Sequence, residues 1–131
     1  MKILFISQNI PFPPYYDGER LIVFNLIKEL SEEHQIDLLS FAFQKELPYK
    51  EELSKYCQKI NVFSKPSKKI FYHLFWFFLL KRRKIKREIK KFIKESSPEV
   101  IVVEGIFLSP LWEIFKEKPC ILYAIDCFSL N

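Results

Sequence analysis

Five short runs of almost wholly apolar residues, each separated from the next by a helical pattern, constrain this chain most. They lie at residues 2–7, 36–43, 60–63, 100–103 and 120–126. A strand that reads as an unbroken apolar run is covered on both faces, which is the condition of strands in a parallel sheet. Between the first two runs, Leu21, Ile22, Phe24, Leu26, Ile27 and Leu30 recur at helical spacing, with Lys28, Glu29, Glu32 and Glu33 mostly opposite. Residues 45–57 read as a short helix with Leu47, Leu53 and Tyr56 inward. Residues 68–95 read as a helix bent near Leu80 and closed by Pro98, and residues 107–117 as another short one. Strands alternating with helices predict an α/β fold, a doubly wound Rossmann-like parallel sheet with residues 2–7 central. The segment from Pro11 to Gly18 carries turn chemistry and reads as loop.

Composition supports one domain. The chain has 131 residues, 49% apolar and 17% aromatic with 14 Phe, enough to fill a core and to exclude intrinsic disorder. Its two glycines, Gly18 and Gly105, exclude a Walker loop and a G-x-G-x-x-G fingerprint, each of which needs several glycines in one turn. Cys57, Cys120 and Cys127 form no C-x-x-C pair, and His34 and His73 are far apart, so no zinc site and no cofactor are expected. The odd thiol count points to reduced cysteines and a cytoplasmic setting. The opening MKILFISQ is too short an apolar run for a signal peptide before Pro11, Pro13 and Pro14 interrupt it.

Charge is concentrated. Residues 81–94 hold nine Lys/Arg and one Glu, while the rest of the chain holds 12 basic and 15 acidic residues. That distribution suits one local anionic partner and ranks nucleic acid lowest, because the basic run is poor in interleaved aromatics, Phe92 being its one ring, and the rest of the chain is acidic in balance. Residues 70–80, IFYHLFWFFLL, precede it and are too few to span a bilayer, which needs about 20. Two readings stay open. The aromatic block with Lys81, Arg82, Arg83 and Lys84 faces an anionic membrane surface. Alternatively, the aromatics fill the core and the cations are a solvated face, with Ile85, Ile89, Phe92 and Ile93 inward.

In open parallel sheets ligands bind beyond the carboxyl ends of the strands. After the first strand come Ser7, Gln8, Asn9, Asp17, Gly18 and Arg20. Glu104 and Gly105 follow the fourth, and Asp126 and Ser129 the fifth. Gly18 precedes a helix N-terminus, where free N–H groups favour an anion, or it only completes a turn after Asp17. Glu104 and Asp126 are site acids or helix caps. Arg20 is functional or solvated on a first turn. His73 and the cysteines read as structural.

The first 41 residues, with their Pro-x-Pro-Pro loop, Gly18, Arg20 and Asn25, resemble the N-terminus of family 4 glycosyltransferases of the GT-B architecture. SPEVIVVEG and PCILYAIDCFSL are similar to later strands of that family. The resemblance implies that residues 1–131 are a single acceptor-side domain lacking the donor-binding C-terminal domain. It implies sugar transfer from a nucleotide-sugar donor to a lipid-linked or glycan acceptor by the whole enzyme, and no activity in this portion alone. Asp17, Gly18 and Arg20 would form the acceptor and donor-phosphate loop, and Asn9, Glu104 and Gly105 the acceptor cleft. Asp126, near where some relatives have a histidine, would be the catalytic candidate. No metal is implied. Self-association through surface bared by the missing half is expected, as is a peripheral place on the inner face of the membrane.

Overall fold

A computed structural model of the chain describes residues 1–12, 18–65, 82–105, 108 and 111–123. Its strands are β1 (Lys2–Ser7), β2 (Gln35–Ala42), β3 (Lys59–Ser64), β4 (Val100–Glu104) and β5 (Cys120–Tyr123), and its helices α1 (Gly18–Leu30), α2 (Tyr49–Leu53), α3 (Arg83–Ser96) and α4 (Trp112–Phe115). The sheet runs β3-β2-β1-β4-β5. Every pairing is parallel, so the fold is the expected α/β Rossmann-like sheet with β1 at its centre.

Alternation along the strands sorts the core into two layers. Leu4, Ile6, Leu39, Phe41, Ile101 and Val103 pack with Ile89 and Phe92 of α3 and Phe115 of α4. Ile3, Phe5, Ile36 and Leu38 point the other way, onto Val23, Phe24 and Ile27 of α1 and Leu53 of α2. The stripe expected on α3 is the one that is buried, with Ile89 and Phe92 inside and Ile85 and Ile93 partly covered. Its cations Arg83, Lys84, Arg87, Lys90, Lys91 and Lys94 are exposed except for what their stems cover. The helix ends at Ser97, whose left-handed backbone (φ 50°) lets its N–H reach Ile93 O at 2.9 Å, and Pro98 prevents continuation.

Two local expectations are corrected. Leu21 and Ile22 are 38% and 44% exposed. At about 100° per residue the inward face centres on Val23, Phe24 and Ile27, which turns Ile22 to the far side and brings Arg20 inward. Residues 45–57 do not form one helix. Pro48 has no N–H to extend the turn at Gln44–Glu46, so a new helix starts beyond it and Leu47 is left exposed. The helix expected at 107–117 is described only as Trp112–Phe115, and β5 only to Tyr123. The aromatic block at 70–80 lies outside the described residues, as do His73, Cys127 and Ser129.

Candidate functional site

The sheet order reverses direction between β1 and β4, and at such a switch point the loops leave in opposite directions. Register places Ser7 beside Glu104 and Ser40, so the last residues of β1 and β4 meet at one edge, with β2 running two residues further. Hydrogen bonds extend the edge past the strands. The Gln8 N–H donates to Glu104 O at 3.1 Å and the Ile10 N–H to Phe41 O at 3.0 Å.

Polar side chains are buried here. Ser7, Gln8, Glu46, Lys65 and Glu104 are each 6% exposed or less. Ser7 Oγ lies 2.5 Å from Asn9 O and 2.8 Å from Glu104 Oε2, so one hydroxyl proton faces two acceptors. Glu104 Oε1 is buried with no hydrogen-bond partner among the described residues. This carboxylate is short of donors on both oxygens.

The cations are held by the chain itself. Arg20 pairs with Glu46, whose other oxygen accepts the Phe43 N–H at 2.9 Å. The Arg20 guanidinium also lies 5.0 Å from the Phe12 ring centroid, and Phe12 stacks on Tyr49 at 3.9 Å. Lys65 Nζ donates to Asn9 Oδ1 and sits 5.1 Å from the Phe43 ring centroid. Burial, and then the nearby Arg20 charge, lower the Lys65 ammonium to about 8, against the opposing pull of Glu46, Glu104 and Glu19.

Gly105 has φ +110°, and a Cβ there would collide with the Gln8 side chain. Gln8 therefore packs against bare backbone, while its Nε2 donates to Glu19 Oε1 at 3.4 Å.

Of the residues singled out in the sequence, Asn9, Arg20, Glu104 and Gly105 are brought together. Glu104 ends β4 and bonds to Ser7, and Arg20 is tied to Glu46. Gly18 is the exposed first residue of α1, with open space where a Cβ would stand. Asp17, Lys81 and Asp126 lie outside the described residues, whereas Arg82, Arg83 and Lys84 are exposed at the start of α3. Sequence reasoning missed Glu46 and Lys65. Glu46 sits in a Lys- and Glu-rich stretch after β2 and Lys65 among lysines after β3, and both read as ordinary surface; only the folded arrangement of those strand ends brings them to Arg20 and Asn9. Among the described residues no three His, Cys, Asp or Glu are grouped to hold a metal ion, and no helix is long and apolar enough to cross a membrane.

No family model matches the chain, and no curated protein matches it. Solved structures do. Two structures of the C-terminal domain of a hydrogenase from Pyrococcus furiosus share the fold. One has a TM-score of 0.65 and 17% identity over 93% of this chain and 90% of that one. The other has a TM-score of 0.59 and 18% identity over 92% and 89%. These likenesses carry the fold alone. They also overturn the resemblance to family 4 glycosyltransferases, since these neighbours come from a hydrogenase and no family model supports the assignment. The shared features were an apolar first strand, a proline loop and a glycine before the first helix, which describe a strand-to-helix junction and carry no chemistry specific to one family.

Proposed function

We propose that this chain is a ligand-binding α/β domain whose site is the β1–β4 switch point, taking a small polar molecule rich in hydrogen-bond donors. The observation that carries this reading is Glu104 Oε1, buried and without a donor beside Ser7. Leaving such an oxygen unsatisfied costs about 1–3 kcal/mol or more, and a ligand hydroxyl or amine there removes that cost. Ser7, Asn9 and Lys65 hold the carboxylate's surroundings in place, and Gly105 keeps the backbone low against Gln8. Titration of the chain with sugars, nucleosides and hydroxylated amines, followed by amide NMR, tests it. Binding that shifts the Asn9 and Gly105 amides and weakens about tenfold in Glu104→Gln is expected. Absence of binding across the panel, or binding indifferent to that change, refutes it.

A second reading follows from α3. Its apolar stripe is used up in the core, so Arg83, Lys84, Arg87, Lys90, Lys91 and Lys94 are turned toward solvent along one helix. Each cation near an anionic bilayer contributes about 1 kcal/mol, screened by salt. The helix bears no exposed aromatic on which bases could stack, which favours a lipid surface over nucleic acid. Co-sedimentation with vesicles rich in anionic lipid, and not with neutral ones, is the expected result. Replacing Lys81, Arg82, Arg83 and Lys84 by Gln should remove most of it while leaving the fold intact. Indifference to anionic vesicles at low salt makes this face merely solvated.

A further inference from the structure

We infer that the ligand of the β1–β4 switch point is a hydroxylated amine, positively charged, and not a phosphate or a carboxylate. The inference rests on the binding reading above and adds the sign of the ligand's charge.

Five described charges act together at this edge: Arg20 and Lys65 against Glu19, Glu46 and Glu104. The carboxylates outnumber the cations by one. More telling is how the charges are used. Arg20 is committed to Glu46 and stands over Phe12, with a side chain only 12% exposed. Lys65 is committed to Asn9 and the Phe43 ring. Among the described residues, Glu104 Oε1 is the buried carboxylate oxygen with nothing donating to it. An incoming anion would meet that carboxylate and find both cations already engaged. An ammonium gives Glu104 Oε1 a charge-assisted hydrogen bond, roughly twice as strong as one from a neutral hydroxyl.

The other feature that suits an anion, the N-terminus of α1, is already served by the chain. Glu19 lies in its first turn, where its negative charge complements the helix dipole. Glu19 is in turn bonded to Gln8, which packs on Gly105 next to Glu104, so both carboxylates border the same ground. Ligand hydroxyls would complete the site through Ser7, whose hydroxyl oxygen accepts as well as donates, and through Asn9, whose side-chain oxygen accepts and whose amide nitrogen donates.

The test uses matched sets on one scaffold: glucosamine, glucose and glucose 6-phosphate, and the corresponding amine, alcohol and phosphate of ribose and glycerol. Each is titrated into the full chain at low salt, with the Asn9 and Gly105 amides as local reporters. The amine of at least one set is expected to bind about tenfold tighter than its phosphate counterpart, by way of the charge-assisted bond. Glu104→Gln should reduce that preference below about threefold, since a neutral amide leaves only ordinary hydrogen bonds. Glu19→Gln, which leaves the buried carboxylate in place, should reduce it partway and serves if the first variant does not fold. If a phosphate or neutral member binds at these amides as tightly as the amine, the charge assignment is wrong while the binding site stands. If no member of any set binds, the site itself fails and the inference fails with it.

Discussion

Ser96 Oγ donates a 2.6 Å hydrogen bond to Asp37 Oδ2, joining the last turn of α3 to the second strand at the edge opposite the candidate site. The same carboxylate, fully buried, accepts the Lys59 N–H at 3.1 Å and lies 3.5 Å from Lys2 Nζ. One side chain thus ties together β1, β2, β3 and α3. Removing it strands several donors at once. Asp37→Leu is expected to destabilise the domain by about 3–5 kcal/mol, and Ser96→Ala by about 1–2 kcal/mol. Urea unfolding followed by circular dichroism measures both, and a loss below about 1 kcal/mol in Asp37→Leu would show the staple to be dispensable.

Gly105→Ala is expected to be costly out of proportion to one methyl group. At φ +110° an L-residue is strained, and the new Cβ would strike Cγ and Cδ of Gln8, atoms too near the backbone to swing aside freely. The strain alone is about 1–3 kcal/mol. Displacing Gln8 should also shift the Glu19 amide in NMR spectra. An unchanged melting temperature would mean that the edge relaxes without strain.

Lys65 makes stability depend on pH in a stated direction. Its native value, lowered to about 8, lies below the 10.5 of the unfolded chain, so the unfolded state holds the proton more firmly. Stability therefore falls as pH drops from 10.5 through 8 and is regained as pH rises through the same window. Comparing wild type with Lys65→Met at about pH 7.5 and pH 10.5, wild type should gain on the order of 3 kcal/mol relative to the variant. Cys57, raised to about 12 by burial and by Asp37, works the other way above its ordinary value of 9.0, but is common to both proteins and cancels. A constant difference across the window would show that Lys65 titrates as a solvated amine.

Cys57 should be chemically silent in the folded protein. It is 6% exposed, and the rise of its thiol to about 12 leaves almost no thiolate at neutral pH. Brief alkylation with iodoacetamide at pH 8 and peptide mapping should show Cys120, only half-buried, modified well ahead of Cys57. Denaturant should bring Cys57 up to the rate of a free thiol. Early labelling of Cys57 would mean that the region around α2 opens readily.

The sheet was legible in the sequence because its strands are unbroken apolar runs, and the interior stripe of α3 because Ile85, Ile89, Phe92 and Ile93 recur at helical spacing. Leu21 and Ile22 lie outward because the phase of α1 is set by Val23, Phe24 and Ile27, and apolar content alone does not specify that phase. Pro48 marked the break between the turn at Gln44–Glu46 and α2, but nothing in its neighbours' composition distinguished Leu47 outside from Leu53 inside. In the site, Asn9, Glu104 and Gly105 could be placed by their position after strands. Glu46 and Lys65 could not, since their partners Arg20 and Asn9 lie 26 and 56 residues away and only the folded arrangement joins them. The family resemblance failed for a related reason, since it rested on the residues that make the junction and not on a constellation that does chemistry.

The order of the strands has a consequence for how the molecule comes into being. Ser7 and Glu104 meet across 97 residues of chain, whereas β1 finds β2 across a single helix. Closing the longer loop costs more entropy, so β1, β2 and β3 can assemble while the other edge of β1 waits for β4. During synthesis that edge emerges early and stays unpaired until residue 104 has been made. The central strand, paired on both edges in the finished fold, thus keeps one edge open through most of the chain's growth, and the polar site beside Ser7 is among the last things to exist.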